Sequence, residues 1–293
     1  MRAFFLLTIM IFSSLVAKAE PTKVSQLEGL VDSAKDESAQ RFLVIIDPGH
    51  GGHDFGTINK SKNISISEKS LTLQYAKLLG KALNEKGIAT ILTRSEDDYV
   101  NLDLRAAVAN RAQGSLFISL HINSSPKPNE WGIETFVLNN ATNDASQRLA
   151  DIENGRKTRT SNLAMILADL ETSASYKDSV NLACQIQKGF AHSFQKAKMP
   201  FKNRGVKSAL FYVLMQTQMP SILVELGFAS NQKELLRLKT PSYQTKLVDG
   251  LVAGIQDYKD GWSLKQTIAA QITPERSAFS AISKQRIDHC TVK

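Results

Sequence analysis

Phe42-Leu43-Val44-Ile45-Ile46-Asp47-Pro48-Gly49-His50 is the stretch that decides the fold. Its first five residues are apolar without interruption, and Asp47-Pro48-Gly49 then stops the run. A continuous apolar run that ends in turn residues is typical of a strand buried on both faces. Such strands belong to parallel sheets that are covered by helices. The stretch therefore predicts that an α/β domain begins at Phe42.

The chain then alternates between apolar runs and helical patterns up to Tyr258. Further strands are predicted at 88–93, 115–120, 133–138, 210–214 and 221–224. Helical spacing of apolar residues predicts helices at 69–86, 102–112, 181–198 and 241–258. This alternation is typical of an α/β fold. We expect a single domain with a mostly parallel, twisted sheet of about six strands, covered by helices on both faces.

The N-terminus has the pattern of an export signal. Arg2 gives a positive start, residues 3–16 are mostly apolar, and Ala17-Lys18-Ala19 places small residues before Glu20. The apolar run is shorter than the ~20 residues that a membrane-spanning helix needs. We therefore expect cleavage near Ala19-Glu20, a periplasmic or secreted protein and no stable membrane anchor. An uncleaved anchor is the alternative.

Composition divides the chain into four parts. Residues 1–19 form the predicted signal peptide, 20–41 a polar linker, 42–260 the folded domain and 261–293 a C-terminal tail. Without the signal peptide, 34 basic residues face 28 acidic ones, a net charge of +6. A positive surface suits anionic polymers in general. Because no nucleic-acid-binding motif is present, we expect no nucleic acid as a partner, and we expect a monomer.

The chain contains two cysteines, Cys184 and Cys290. Export makes a disulfide chemically feasible. Cys184 lies in an apolar helical pattern, however, and Cys290 lies in a polar tail, so the sequence is equally compatible with two free thiols. Two cysteines without closely spaced histidines also cannot form a structural zinc site of the usual four-ligand kind.

Four polar residues are predicted at one edge of the sheet. His50, His121 and Glu225 follow the carboxyl ends of buried strands, and Glu68 begins the first helix. Sites in open α/β sheets form at this edge. Two imidazoles and a carboxylate leave a coordination position open for water, as in catalytic zinc sites, and a fourth group can act as base. Taken singly, each could be a loop histidine, a helix-start glutamate or half of an ion pair. Their convergence favours a metal site.

These residues lie in motifs that resemble one known family. The matching stretches occur in the family's order and are Val44–Gly52 (VIIDPGHGG), Glu68-Lys69, Thr93-Arg94, Leu104-Arg105, Ser119–Asn123 (SLHIN), Asn203–Lys207 (NRGVK) and Val224–Phe228 (VELGF). They resemble the type 3, zinc-dependent N-acetylmuramoyl-L-alanine amidases, over about residues 42–258. The resemblance implies a hydrolase of peptidoglycan that cuts the amide bond between N-acetylmuramic acid and L-alanine of the stem peptide. It also implies a role in cell-wall remodelling and daughter-cell separation.

The resemblance assigns roles to individual residues. Three residues correspond to the ligands of a single Zn²⁺ ion in the family: His50, Glu68 and His121. Glu225 corresponds to the catalytic carboxylate, and Asn123 and Arg94 are expected to bind substrate. The sequence departs from the family at Ser67, where many members have a glycine before the ligand glutamate.

Residues 145–181 resemble an insert of the Gram-negative division-associated amidases. In several of those, a helix covers the zinc site and offers it a glutamate until an activator protein displaces it. Glu153 corresponds to that glutamate, so the resemblance implies an autoinhibitory ligand and an activator as a partner. The alternative is an ordinary surface helix pair, and the short, basic stretch after Asn154 favours that alternative.

Two other classes of protein remain as alternatives. An inactive wall-binding relative is disfavoured because all four candidate site residues are present. A zinc carboxypeptidase would need an arginine beside the metal, and three are available: Arg94, Arg105 and Arg204. Ser124–Lys127 also fits the Ser-x-x-Lys nucleophile motif, but Pro126 is unsuited to the helix in which that motif lies.

Overall fold

The computed structural model describes residues 42–61, 64–155, 174–271 and Cys290. The predicted signal peptide and linker, part of the 145–181 insert and most of the predicted tail lie outside these residues. No helix within the described ranges is long and apolar enough to span a membrane.

Strands and helices alternate along the chain, as predicted. The strands are β1 Leu43–Pro48, β2 Ile58–Ser61, β3 Ile64–Ser67, β4 Ala89–Leu92, β5 Leu116–Asn123, β6 Ile133–Leu138, β7 Asn203–Ala209 and β8 Ser221–Phe228. The helices are α1 Glu68–Asn84, α2 Leu102–Arg111, α3 Asp144–Glu153, α4 Ala174–Lys196, α5 Tyr212–Met215, α6 Gln232–Leu238 and α7 Pro241–Gln271.

Six strands form one sheet in the order β4-β1-β5-β8-β6-β7. Neighbouring strands are parallel, except that β6 runs antiparallel to β8. The carboxyl ends of β1, β5 and β8 therefore meet the amino ends of β6 and β7 at one edge, which we call the rim. A mostly parallel sheet of six strands confirms the predicted fold class.

Helices cover both faces of this sheet. One apolar cluster joins alternate residues of the central strands, such as Val44 and Ile118, to α1, α4 and α7. A second cluster joins the opposite residues, such as Ile45 and Phe117, to α2, α3 and α5. Both faces of the central strands are thus buried, which explains why their sequences are continuously apolar.

The prediction of a strand at 210–214 is wrong. The chain instead forms β7 at Asn203–Ala209 and then the short helix α5. β7 is an edge strand with its first residue exposed, so it lacks the continuous apolar run of a central strand. The apolar residues of 210–214 point into the second cluster from a turn and a helix, as Phe211 and Leu214 do.

Other boundaries also differ from the prediction. Part of the segment predicted as a loop before Glu68 forms the antiparallel hairpin of β2 and β3. Helix α6 was not predicted, α4 begins at Ala174 rather than 181, and α7 continues to Gln271 rather than ending at 258.

Cys184 and Cys290 form a disulfide. Cys184 is buried in α4. Cys290 packs against the first apolar cluster. The bond therefore ties residue 290 of the polar tail to the core of the domain. Of the two alternatives that the sequence left open, a disulfide and two free thiols, the structure has the disulfide.

Candidate active site

The loop after β1 places the first histidine on the rim. His50 has a φ of 61°, a left-handed conformation that is uncommon outside glycine. The loop is held by paired backbone hydrogen bonds between Gly51 and Asp54, at 2.9 and 3.0 Å. A Cβ at Gly49 would lie 2.4 Å from the ring of His121, so only glycine allows this close approach. The Pro-Gly-His sequence thus brings two histidines together.

A buried ion pair supports the same loop. Arg105 Nη1 donates to Asp47 Oδ1 at 2.8 Å, and its Nη2 donates to the carbonyl oxygen of His50 at 2.8 Å. Thr93 and Ser119 donate hydroxyl hydrogen bonds to the same carboxylate. Burial alone would raise the pKa of Asp47, but the charge of Arg105 and these hydrogen bonds lower it. The carbonyl of His50 is therefore fixed by a charged network beneath the loop.

Two imidazoles and two carboxylates converge above this network. His50 Nε2 lies 3.2 Å from Glu68 Oε1 and 3.4 Å from Glu153 Oε2. His121 Nδ1 lies 3.2 and 3.1 Å from the same two oxygens. The structure thus brings together all three predicted metal ligands and also Glu153, as one group that could hold a metal ion.

The four histidine–carboxylate separations suit ligands of one metal ion, and all four atoms lie within 4.8 Å of one another. Metal–ligand distances of about 2.0–2.1 Å in a tetrahedron place neighbouring ligand atoms about 3.3–3.4 Å apart. His50 Nε2 is buried without a hydrogen-bond partner in the described residues, while its Nδ1 bonds Asp54 Oδ2 at 2.9 Å. This is the usual arrangement of a metal-binding histidine, whose second nitrogen is oriented by a carboxylate.

Without an ion, protons balance the negative charge of the cluster. Burial disfavours the charged form of His50, but Glu68, Glu153 and the hydrogen bond to Asp54 outweigh it and raise its pKa to about 10. The pKa of His121 is raised to about 10 for similar reasons, against its burial. Burial acts to raise the pKa of Glu68, yet the two imidazoles lower it well below the ordinary value. Because metals bind unprotonated imidazole, metal binding would release these protons.

Glu225 lies beside the cluster rather than within it. It lies within β8, all of whose residues are buried, and it pairs in register with His121 of β5. Neither carboxylate oxygen has a hydrogen-bond partner among the described residues. Burial and then the charges of Glu68, Glu153 and Glu134 raise its pKa well above the ordinary value. A buried carboxylate with high proton affinity next to a candidate metal site has the properties of a general base.

The N-acetylmuramoyl-L-alanine amidase family matches residues 44–257 of this sequence. The chain belongs to this family. The amidase AmiA of Escherichia coli (strain K12) is 30% identical over 264 residues, which cover 86% of this chain and 87% of AmiA. Membership confirms the predicted activity, hydrolysis of the muramoyl–L-alanine amide of peptidoglycan.

Solved structures of amidases share the fold. That of the N-acetylmuramoyl-L-alanine amidase from Clostridium difficile 630 is 30% identical, with a TM-score of 0.58, and the match covers 76% of this chain and 98% of that one. The CwlD amidase from Clostridioides difficile, solved in complex with the GerS lipoprotein, is 26% identical with a TM-score of 0.56.

The match to CwlD itself covers 75% of this chain and 99% of the CwlD chain. These two amidase structures share the fold with this chain at similar TM-scores, and both support the α/β architecture described above.

The two residues expected to bind substrate are both engaged inside the amidase. Arg94 is buried, and its guanidinium donates to the backbone carbonyl oxygens of Pro48, Gly49, Lys69 and Glu96. This is the arrangement of a residue that shapes the His50 loop. Asn123 is also buried, and its Nδ2 donates to Glu134 Oε1 at 3.0 Å. That Arg94 or Asn123 contacts the substrate stays a prediction. The internal hydrogen bonds of both side chains do not favour it.

An open cavity of about 720 Å³ lies beside the four candidate metal ligands of the amidase. His50, His121 and Glu153 form part of its wall. Two exposed residues add an aromatic surface, since the rings of His53 and Tyr99 lie with their centroids 4.1 Å apart and their planes tilted by 33°. Sequence analysis missed Tyr99 because it lies in an irregular loop that carries no helical or strand periodicity.

The placement of the arginines bears on the carboxypeptidase alternative. Arg94 and Arg105 both hold the His50 loop through buried hydrogen bonds. Arg204 instead pairs with Glu130 and Glu134, beyond Glu225 on the rim. In the described part of the amidase, therefore, none of these three arginines is an unpaired cation beside the candidate metal ligands. The Ser124–Lys127 segment follows β5 as a loop rather than a helix.

Proposed function

We propose that this amidase is an exported zinc enzyme whose metal is bound by His50, Glu68 and His121. The convergence of their ligand atoms with that of Glu153, at separations of 3.1–3.4 Å, is the observation that carries the proposal. Nitrogen and carboxylate oxygen ligands at this spacing suit Zn²⁺. Three protein ligands leave one position free for the reaction, which is how catalytic zinc sites are built.

Glu225 is the residue that we assign to proton transfer. When bound, zinc supplies a Lewis acid that polarises the substrate carbonyl and favours ionisation of the attacking water. Glu225 accepts a proton from that water as its oxygen bonds to the lactyl carbonyl carbon. It then donates the proton to the nitrogen of L-alanine as the carbon–nitrogen bond breaks. Its burial, which raises its pKa, supports the second, acidic step.

Glu153 blocks the site in this proposal. Its carboxylate lies at the fourth corner of the cluster, where water or the substrate carbonyl would bind. The chain would then be mostly inactive until Glu153 moves, and its basal rate would equal the open fraction times the intrinsic rate. An activator protein that displaces Glu153 would be the natural partner. The complex of the CwlD amidase with the GerS lipoprotein supports such a partnership.

Export agrees with two features of the chain. Its first 19 residues have the pattern of a signal peptide. The Cys184–Cys290 disulfide is of the kind that forms in oxidising compartments outside the cytosol. We therefore place the amidase, as a monomer, in the periplasm or outside the cell, where its peptidoglycan substrate lies and where it would remodel the wall and separate daughter cells.

Metal analysis combined with mass spectrometry of digested peptidoglycan tests this proposal. The purified chain should contain about one zinc, and it should release intact stem peptides with a free L-alanine amino group. His121→Ala should lose both zinc and activity. Release of single amino acids would indicate a carboxypeptidase, and full activity in a zinc-free preparation with chelator would exclude the zinc mechanism.

A matched variant separates the base from the ligands. Glu225→Gln should keep its zinc, while turnover falls by roughly 10² to 10⁴, the usual contribution of a general acid–base group. Loss of zinc together with activity would make Glu225 a ligand and would contradict its assigned role.

A further inference from the structure

The rim continues past Glu225 into a group of charged side chains that the proposed reaction does not use. Glu134 of β6 pairs in register with Glu225 of β8 and is 2% exposed. Its carboxylate accepts a hydrogen bond from Asn123 and forms ion pairs with Arg204 and Lys207 of β7. The charge of Glu134 is therefore already balanced by two cations.

Two further cations lie next to this group. Lys202 Nζ stands 5.8 Å from the ring centroid of Trp131, and Arg237 Cζ stands 5.7 Å from it. Arg204 joins them to Glu134, because its Nη1 donates to the carbonyl oxygen of Trp131 at 3.4 Å. We call Trp131, Lys202, Arg204 and Arg237 the basic–aromatic patch.

Hydrogen-bonding capacity remains within the patch. Arg237 Nη1 is buried and has no hydrogen-bond partner in the described parts of the chain, whereas Arg204 Nε lies 3.2 Å from Glu134 Oε1. Lys202 is exposed, and its ammonium can donate three hydrogen bonds. Guanidinium and ammonium groups with free donors next to an aromatic ring favour an anionic ligand with planar oxygen acceptors, such as a carboxylate.

The distance from the reaction matches the stem peptide. Neighbouring strands lie about 4.8 Å apart, and β7 is the second strand beyond β8, so the β7 side of the patch lies about 10 Å from Glu225 across the sheet. An extended peptide spans about 3.3–3.6 Å per residue. The second and third residues beyond the scissile amide therefore reach the patch if the peptide runs towards β7. Wall peptides carry carboxylates at such positions.

The opposite end of the rim has a different character. There the adjacent rings of His53 and Tyr99 line the cavity beside the candidate metal ligands, and Asp54 and Asp103 also line it. Carboxylates of the substrate would be repelled by these acidic groups, whereas an uncharged sugar ring can pack on an aromatic surface. The two ends of the rim thus differ in the parts of the substrate that they suit.

Resting on the amidase activity described above, we propose that the basic–aromatic patch is a carboxylate-binding subsite for the stem peptide. Lys202 and Arg237 bind a free carboxylate two or three residues beyond the scissile amide, and Trp131 supports the peptide between them. The substrate then lies in one direction along the rim, with its peptide over β6 and β7 and its sugar over His53 and Tyr99.

Two soluble substrates test the subsite. They are muramyl tripeptides that differ only in whether the carboxyl groups of the second and third residues are free or carboxamides. With the full chain, we expect Lys202→Gln combined with Arg237→Gln to raise the KM for the free-carboxylate substrate about tenfold or more, since charge-assisted hydrogen bonds are lost. The KM for the carboxamide substrate and kcat for both should change by less than about twofold.

Lys81→Gln is the control for a change in net charge. Lys81 is exposed on α1, thirteen residues after Glu68 and so about 20 Å along the helix from the site. It should leave both KM values unchanged. An equal rise in KM for both substrates, or discrimination that survives in the double variant, would overturn the subsite. Hydrolysis of neither substrate by the full chain carrying Glu153→Ala, in which the blocking carboxylate is absent, would instead overturn the amidase activity and the subsite with it.

Discussion

Glu68 and Glu153 contact the same two histidines but are held in very different ways. Glu68 is fixed on both oxygens by the backbone, since Ile122 N donates to Oε1 at 2.8 Å and Thr57 N donates to Oε2 at 2.9 Å. It begins α1 and its side chain is 1% exposed. In the described residues, the carboxylate of Glu153 contacts only the two imidazoles, and its side chain is 10% exposed.

The difference extends to the elements that carry the two glutamates. Glu68 is anchored between the β2–β3 hairpin and β5, within the protein scaffold. Glu153 is the last residue of α3, a ten-residue helix. Its neighbour Asn154 attaches that end to the turn before α5, by donating to Leu210 O at 2.6 Å and accepting from Tyr212 N at 2.9 Å. We conclude that one carboxylate is built in permanently, whereas the other is attached through contacts that can be broken.

The same substitution at both positions should have opposite effects. Glu68→Ala removes a permanent ligand, so we expect zinc to be lost and amidase activity to fall by at least about 10³-fold, because catalysis needs the metal. The loss is best measured in a Glu153→Ala background, in which the starting activity is higher. Retention of zinc and activity in this variant would show that Glu68 is not a ligand.

Glu153→Ala should instead raise activity without any partner protein. If the site is open in about 1% of molecules, removing the blocking carboxylate can increase the basal rate by at most about a hundredfold. Zinc content should stay near one per chain, because three ligands remain. An unchanged rate in a chain that is already active alone would contradict self-inhibition by Glu153.

Asn154→Ala should raise activity by a smaller amount, about twentyfold from a 1% open population, because it removes two hydrogen bonds that each contribute about 1 kcal/mol and so shifts the opening equilibrium about thirtyfold. Gln147→Ala on the same helix is the control, since Gln147 is exposed and bonds only Asp151 within its own helix among the described residues. It should change the rate by less than about twofold. The basal activity of both variants is measured in the wall-digestion assay. Equal rates for Asn154→Ala and Gln147→Ala would show that Asn154 does not hold Glu153 in place.

The sequence predicted the permanent part of the site because buried strands are easy to locate. Val44–Ile46 and its counterparts are largely apolar, and His50, His121 and Glu225 lie just beyond these apolar runs, the last two still within β5 and β8. Parallel strands place their carboxyl ends at one edge, so the convergence of these residues follows from the fold class alone. Glu68 could be placed on the same edge because it begins the helix that follows β1.

The displaceable part and the rest of the rim could not be predicted in this way. Glu153 reaches the cluster from α3, on the opposite side of the loop, and only the resemblance to known amidases pointed to it. β7 escaped detection because an edge strand need not be apolar on both faces. The patch around Trp131 combines residues from three separate segments of the chain. The periodicity of any one segment does not predict that the three lie close together.

The disulfide between Cys184 and Cys290 has a consequence for when this hydrolase becomes stable. It closes a loop of 106 residues that contains Glu225 and the whole of β7 and β8. Closing a loop of about 100 residues can stabilise a folded chain by about 4.7 kcal/mol in the chain-entropy account. In the reducing cytosol this bond does not form, so under the export proposed above the newly made chain would lack that stabilisation until it leaves the cytosol. Oxidation would then act as a maturation step that coincides with arrival at the wall.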